Sequence, residues 1–237
     1  SEANTGFHKL KNYKKVNEII GLANVISSGN SYLAEYASKF NSNTVINPTT
    51  IDTLHYHNRD LYDVPNINNV PVIGWTGTHT TIKYLDFLIP ILDELKSRFE
   101  FEFCVISNEK PNLNLTCLNY VKWKKESEIE DLMRFDIGVM PLANNKWAKG
   151  KCGFKALQYM SLGIPTIASP VGVNIDIIDE NKNGFLCETQ EDWIKALEFL
   201  LDKSENRLKM SKSAQEKVQN KYSVLSNSSN FISLFNI

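Results

Sequence analysis

A strand, an amphipathic helix and a second strand follow one another in the middle of this chain, and that order constrains the fold more than any other feature. Phe135–Met140 and Thr166–Ala168 are short apolar runs with the length of buried strands. Between them, apolar side chains recur at helical spacing at Phe154, Leu157 and Met160. Because the helix between them is long enough to return the chain alongside the first strand, the segment predicts a parallel βαβ unit.

Strands and helices alternate in the same way over most of the chain. Further strands are predicted at 24–28, 44–46, 72–75, 101–106, 120–123 and 185–187. Helices are predicted at 31–40, 82–99, 129–135, 175–179, 205–221 and 224–236, with one more after the capping residue Thr189. This alternation predicts an α/β fold with a Rossmann-like, doubly wound parallel sheet.

Composition limits the partners and the cellular location. The 26 Lys and Arg residues are balanced by 27 Asp and Glu residues, so nucleic acid is not expected to bind. No apolar run is long enough to span a bilayer. The four cysteines are scattered without Cys-x-x-Cys pairs, which indicates free thiols in a reducing cytoplasm.

The chain divides into four parts. Residues 1–50 hold one small αβ unit that cannot bury a core of its own. Residues 51–71 are polar and contain two prolines, which predicts an exposed linker that includes His57. Residues 72–222 contain the predicted sheet, and residues 223–237 form a final helix.

Three lysines, Lys149, Lys151 and Lys155, surround the predicted start of the central helix. A helix N-terminus already carries partial positive charge and unpaired N–H groups, so three ammonium groups there are unfavourable unless an anion binds among them. The loop also follows the carboxyl end of a strand, which is the edge where open α/β sheets bind ligands. The pattern predicts a site for a phosphate-bearing ligand, while three solvated lysines on a surface loop remain the alternative.

The longest motif in the chain is Gly-Phe-Lys-x-Leu-Gln-Tyr-Met-x-x-Gly-Ile-Pro-x-x-Ala-Ser-Pro-Val-Gly, which begins at Gly153. A glycine turn at 73–78, a strand at 136–142 and a linker at 47–52 accompany it. Together these segments resemble glycosyltransferase family 4, whose members are retaining enzymes with the GT-B fold. The resemblance implies that residues 72–222 are the C-terminal domain that binds a nucleotide-diphosphate sugar. Residues 1–50 would be a remnant of the acceptor-side domain, most of which is expected to be missing.

The sequence departs from the family at its two characteristic glutamates, which are separated by seven residues. The second glutamate, which holds the donor's ribose in the family, is replaced by Gln158, whose amide can still donate to and accept from hydroxyl groups. The first, which contacts the transferred sugar, is replaced by Gly150, which has no side chain. The identity of the donor and the ability to catalyse transfer are therefore left open.

The resemblance and the lysine pattern together define a predicted donor-binding site, whereas no catalytic residue is assigned. Lys155 is predicted to contact a phosphate, and Gln158 the ribose. Backbone N–H groups of Gly153 and Phe154 are predicted to meet the pyrophosphate. The remaining predicted members are Lys151 beside the phosphates, Gly77 and Thr78 at the diphosphate or the sugar, and Val121 and Trp123 at the base.

The predicted reaction is transfer of a sugar to a glycan or lipid-linked acceptor, as in bacterial polysaccharide biosynthesis. No cofactor is expected, and no metal, because lysines and a helix N-terminus supply positive charge and no Asp-x-Asp carboxylate clamp is present. Without the rest of the acceptor domain, the chain is expected to bind the donor but to transfer little. A sugar-nucleotide epimerase of the same architecture and a degenerate, non-catalytic binding domain remain alternatives. The expected location is the cytoplasm, with peripheral contact at the inner membrane surface as an option.

Overall fold

The computed structural model describes residues 14–64 and 70–235. These residues contain a six-stranded sheet in which all neighbouring strands are parallel, and a separate two-stranded parallel sheet near the N-terminus. The strands, in chain order, are β1 Ile26–Ser28, β2 Thr44–Ile46, β3 Val72–Gly77, β4 Glu102–Ser107, β5 Leu118–Lys122, β6 Ile137–Met140, β7 Thr166–Ala168 and β8 Gly184–Leu186.

Helices separate almost all of the strands. In chain order they are α1 Lys14–Leu22, α2 Ser31–Ala37, α3 His79–Ile82, α4 Ile89–Lys96, α5 Glu128–Leu132, α6 Lys146–Lys149, α7 Phe154–Ser161, α8 Asn174–Ile177, α9 Gln190–Asp202, α10 Ser204–Lys221 and α11 Val224–Ile232. Thr189 caps α9 through the predicted capping box, in which its side chain and that of Asp192 each bond the other's backbone N–H.

The order of strands in the large sheet is β5-β4-β3-β6-β7-β8. The chain moves outward in one direction from β3 through β4 to β5, and in the opposite direction from β6 through β7 to β8. The predicted Rossmann-like, doubly wound sheet is therefore confirmed, and its direction reverses between β3 and β6.

Both faces of the sheet are covered, so the central strands are buried throughout. In β3, Ile73 and Trp75 point into a core formed with α4 and α9, where Trp193 is fully buried. On the other face, Gly74 leaves room for the ring of Phe135, since a Cβ at Gly74 would lie only 2.0 Å from that ring. Burial on both faces explains why these strands read as continuous apolar runs.

The prediction of a single continuous helix at 82–99 is wrong. The segment contains the short helix α3, a 3₁₀ helix at Lys83–Leu88 and then α4. Pro90 lies in the first turn of α4, where its missing N–H does no harm, but in the middle of a longer helix it would remove a hydrogen bond. The chain therefore begins a new helix at Ile89.

The prediction that His57 lies in an exposed linker is also wrong. Its side chain is only 6% exposed. The turn that places it there is fixed locally, because Asp52 accepts backbone hydrogen bonds from Leu54 and His55 and its carbonyl accepts one from the His57 N–H. Nearby, Ile51 is buried and pairs with Ser223 in a parallel bridge. Residues 65–69 of the predicted linker lie outside the described residues.

Among the described residues, hydrogen bonds from Asn30 and Asn230 link the small N-terminal unit to the rest of the chain. The side chain of Asn30 caps α2 and also donates to the backbone carbonyl of Lys151 at 3.0 Å. At the other end of the chain, Asn230 on α11 donates to the carbonyl of Ile46 and to the side chain of Asn47. Residues 1–13, assigned to the same unit from sequence, and residues 236–237 of the predicted final helix lie outside the described residues.

The four cysteines are free, as predicted. Burial raises the pKa of the Cys104 and Cys187 thiols to about 12, so both are protonated and inert at neutral pH. Among the described residues, no helix combines the length and apolar character needed to cross a bilayer.

Candidate functional site

The sheet reverses direction between β3 and β6, and the segments that leave these two strands meet at their carboxyl ends. β3 ends at Gly77 and continues through Thr78 into α3. β6 ends at Met140 and leads to the lysine loop and the N-terminus of α7. This is the position in a doubly wound sheet where a ligand finds a crevice between diverging loops.

A cavity of about 350 Å³ lies at this edge, a size within the range of ligand-binding pockets. Six of the nine predicted site residues line it: Gly77, Thr78, Trp123, Phe154, Lys155 and Gln158. Three further residues, which sequence analysis did not assign to the site, complete the lining: Thr76, Asn108 and Glu128. Val121, Lys151 and Gly153 are not among the residues that line it.

Lys155 carries the most perturbed charge at the cavity. Its ammonium nitrogen lies 4.3 Å from the centroid of the buried Trp75 ring. A Cβ at Gly77 would lie 2.6 Å from the same nitrogen, so the absence of a side chain there makes room for the ammonium group. Burial, reinforced by the charge of Lys151, lowers the pKa of Lys155 to about 7. An anion in the cavity would reverse this shift.

Lys151 lies outside the lining but acts on the cavity through its charge. Its ammonium nitrogen is 3.8 Å from the centroid of the Trp147 ring, a cation–π contact. Burial lowers the pKa of Lys151 as well. The two lysines thus place positive charge next to the N-terminus of α7 with no carboxylate among these contacts, and this arrangement favours an anionic ligand.

Gly153 caps α7 in a conformation that requires glycine. Its φ is +70°, in the left-handed region, and a Cβ there would lie 2.2 Å from Cδ1 of Ile177. The next residue, Phe154, is 46% exposed and lines the cavity. Gly153 therefore sets the direction from which the chain enters α7 rather than lining the cavity itself.

Gly150 and Gly153 are expected to respond oppositely to alanine. Gly150 has an ordinary φ of −76°, and a Cβ would meet its nearest neighbours at 3.5 Å or more. Gly150→Ala should therefore stabilise the protein by about 0.5 kcal/mol through the unfolded state. Gly153→Ala should destabilise it by about 2 kcal/mol, because alanine is strained at positive φ. Urea unfolding of both variants measures the difference, and a change of the same sign in both would contradict it.

Gln158 joins the cavity to residues far away in sequence. Its Nε2 lies 3.3 Å from Nε2 of His57 and donates to Oε1 of Glu128 at 3.4 Å. The His57 ring also contacts the rings of Tyr56 and Phe154 edge-on. Burial lowers the pKa of His57, which favours the neutral imidazole as a hydrogen-bond partner of the amide.

The two residues predicted at the base differ in position. Trp123 is 40% exposed, lines the cavity and donates from its indole nitrogen to Glu128 at 3.2 Å. Val121 instead packs against the interior cluster that contains Ile106 and Ile129. Side chains two positions apart on a strand point to the same face, but β5 ends at Lys122, so Trp123 does not follow the direction of Val121.

Sequence analysis missed His57, Glu128 and Asn108 because their neighbours are distant in sequence. Asn108 follows β4, accepts from the His79 N–H at 2.8 Å and so holds the start of α3. Glu128 has the sequence signature of an ordinary acidic residue in the first turn of a helix. The one available signal was position, since Asn108 follows a predicted strand and so had to lie at the ligand-binding edge.

Solved structures of glycosyltransferases share this architecture. Sucrose-phosphate synthase from Thermosynechococcus elongatus is similar over 93% of this chain and 60% of its own, with 13% identity and a TM-score of 0.69. S. aureus TarM, in a complex that contains UDP, is similar over 99% of this chain and 49% of its own, with 18% identity and a TM-score of 0.72. Anabaena HepE, in complex with UDP and glucose, is similar over 94% of this chain and 66% of its own, with 12% identity and a TM-score of 0.71. No curated protein matches the chain at the sequence level.

These likenesses establish the fold as that of the C-terminal Rossmann-like domain of GT-B glycosyltransferases. The sequence model of the Glycosyl transferases group 1 family matches residues 70–203, which is more than half of the chain. The chain belongs to that family. It spans 60% of the length of the T. elongatus enzyme.

Proposed function

We propose that the chain binds a nucleotide-diphosphate sugar in the cavity between β3 and α7, and that the whole protein transfers the sugar to a glycan or lipid-linked acceptor. The observation that carries the proposal is the Lys155 ammonium group, which lines a cavity beside a helix N-terminus and has its pKa lowered to about 7. A diphosphate supplies negative charge beside Lys155, where the observed contacts of its ammonium group supply none.

The proposed mechanism places the leaving diphosphate among fixed positive charges. As the glycosidic bond breaks, negative charge grows on the diphosphate, and Lys155, Lys151 and the backbone N–H groups at the start of α7 stabilise it. These groups are in place before the reaction, so they need not reorganise. We propose on this basis that no divalent metal is required, and, from the resemblance to glycosyltransferase family 4, that the anomeric configuration is retained.

The structural neighbours that contain UDP support a nucleotide sugar as the ligand. We assign residues 72–222 to the donor domain and residues 1–50 to a remnant of the acceptor-side domain, with residues 51–71 as the linker between them. The acceptor and the group that activates its hydroxyl are left to the whole protein.

Gly150 favours one second candidate, a domain that binds the donor without catalysing transfer. In the family a glutamate at this position contacts the transferred sugar, and here there is no side chain. Gly150 lies at the end of α6, 3.6 Å from Leu33 of the N-terminal unit when measured from the position of a Cβ. Transfer by the whole protein, tested with Gly150 and with Gly150→Glu, separates the two candidates.

Thermal unfolding with UDP, GDP, ADP and CMP and their sugars, each with and without EDTA, tests the proposal. A ligand at about 100 times its dissociation constant stabilises a protein by about 2.7 kcal/mol, which raises the melting temperature by several degrees. We expect a saturable shift for one nucleotide, unchanged by EDTA. Lys212→Met removes an exposed lysine on α10 instead of a lysine at the cavity, so it serves as a control for the loss of a positive charge. It should show the same shift as the wild-type protein. A wild-type protein that responds to none of these ligands would refute the proposal.

A further inference from the structure

Glu128 lines the cavity and accepts hydrogen bonds only from neutral groups among its observed contacts. Its Oε2 accepts from the Tyr56 hydroxyl at 3.2 Å. Its Oε1 accepts from the Trp123 indole at 3.2 Å and from the Gln158 amide at 3.4 Å. A carboxylate offers about four acceptor positions, so these three contacts leave capacity for a donor from a ligand.

The cavity therefore has two chemically different ends. Lys155 presents a cation, and Glu128 presents an anion that can only accept hydrogen bonds. A ligand that fits both must carry negative charge at one end and hydrogen-bond donors at the other. A nucleoside diphosphate has this character, because its diphosphate is anionic and its ribose hydroxyls are donors.

The positions of Lys155 and Gln158 on α7 favour the ribose over the base. Gln158, which bonds to Glu128, follows Lys155 by three residues on α7, which is a rise of about 4.5 Å along the helix axis. The ribose hydroxyls are the donors closest to the diphosphate, whereas the hydrogen-bonding edge of the base lies farther away.

We propose that Glu128 accepts a hydrogen bond from a hydroxyl group, 2′ or 3′, of the donor's ribose and thereby makes the site selective for ribonucleotides. This inference rests on the proposed function. Gln158 then acts through Glu128 as a positioning residue, with its amide held between that carboxylate and His57. The negative charge of the ribose site therefore comes from Glu128 on α5, whereas α7, the helix that carries Lys155, provides only the neutral amide of Gln158.

The test measures affinity by titration calorimetry for two forms of the nucleotide. UDP, GDP, ADP and CDP are first compared on the wild-type chain, and the tightest is then compared with its 2′,3′-dideoxy form. We expect Glu128→Gln to weaken binding of the ribonucleotide about tenfold, because the hydrogen bond of a ribose hydroxyl to a charged group is lost. Binding of the dideoxy form should stay the same or tighten slightly, since a negative charge near the diphosphate is removed.

The matched control is Glu126→Gln, which removes the same charge from an exposed side chain two residues earlier. It should leave both affinities unchanged. Equal loss for the two nucleotide forms in Glu128→Gln, or no loss for the ribonucleotide, would overturn the role of Glu128 while leaving the donor site intact. If the wild-type chain binds inorganic pyrophosphate but no nucleotide, or binds neither, the proposed function itself fails and the ribose assignment fails with it.

Discussion

Lys155→Met is expected to weaken binding of the nucleotide-diphosphate sugar by about 100-fold, because it removes the ammonium group that pairs with the diphosphate inside the cavity. Methionine has a similar length and keeps the contact with Trp75, so the change isolates the charge. Titration calorimetry with the nucleotide identified by thermal unfolding measures the effect. A loss of less than threefold would show that the diphosphate lies elsewhere.

Stability of the unliganded variant provides the control for folding. The pKa of Lys155 is about 7 in the folded protein and 10.5 as its ordinary value. Between these pH values the unfolded chain binds more protons than the folded protein, so the free energy of unfolding rises with pH. Below pH 7 the ammonium group is charged in both states, and its cost to the stability of the folded protein is fully present. Lys155→Met removes that cost. We expect the unliganded variant to be more stable at pH 7 by about 1 kcal/mol, a figure discounted for solvent screening of a half-buried side chain.

The same pKa gives the binding a pH dependence with a definite sign. Only the protonated amine attracts the diphosphate, so affinity should fall by up to tenfold per pH unit above pH 7, where the unliganded protein loses this proton. A sugar nucleotide is the right probe, because its diphosphate diester does not titrate there. Lys155→Arg keeps its charge throughout and should show a flat profile from pH 6 to pH 9. A flat profile in the wild-type protein would contradict the assignment.

Tyr159→Ala is expected to produce the largest loss of stability among the substitutions considered for the site. Tyr159 is fully buried on α7, and its hydroxyl accepts from the Thr76 N–H at 2.9 Å. Its ring packs against Phe135 and fills the space above Gly138, where a Cβ would lie 2.4 Å away. Truncation leaves a cavity worth about 4 kcal/mol, and the loss of the partner of a buried N–H adds about 1 kcal/mol.

Urea unfolding at constant pH measures this loss, and Tyr159→Phe separates its two causes. The phenylalanine variant keeps the ring and removes only the hydroxyl, so its expected loss is about 1 to 2 kcal/mol. The alanine variant should also bind nucleotide more weakly, because Thr76 lines the cavity and α7 loses its contact with β3. If the alanine variant lost less than the phenylalanine variant, the packing account would be wrong.

Much of the fold could be predicted because its signals are local. The strands of a sheet covered on both faces are continuous apolar runs, and Phe135–Met140 and Thr166–Ala168 showed this without ambiguity. The cap at Thr189 depends on residues three positions apart. It was harder to predict whether residues 82–99 form one continuous helix, because Pro90 allows a helix to start as readily as it interrupts one.

The candidate site was predictable where a residue follows directly from a strand or begins a helix. Gly77, Thr78 and Lys155 satisfy this rule and line the cavity. Lys151, in the loop before α7, and Val121, within β5, do not satisfy it, and their side chains turn to Trp147 and to the interior. The roles given to all of these residues remain predictions that the experiments above address.

The sequence by itself determined the doubly wound sheet and the edge where its lysine loop lies, because alternation and helix starts are written in neighbouring residues. Only the tertiary structure decided which side chains share the cavity. Gln158 meets His57 across 101 positions and Glu128 across 30, and such contacts leave no periodic pattern in the chain. The lowered pKa of Lys155 has the same origin, since it comes from burial beside Trp75 and Gly77, which only packing brings together.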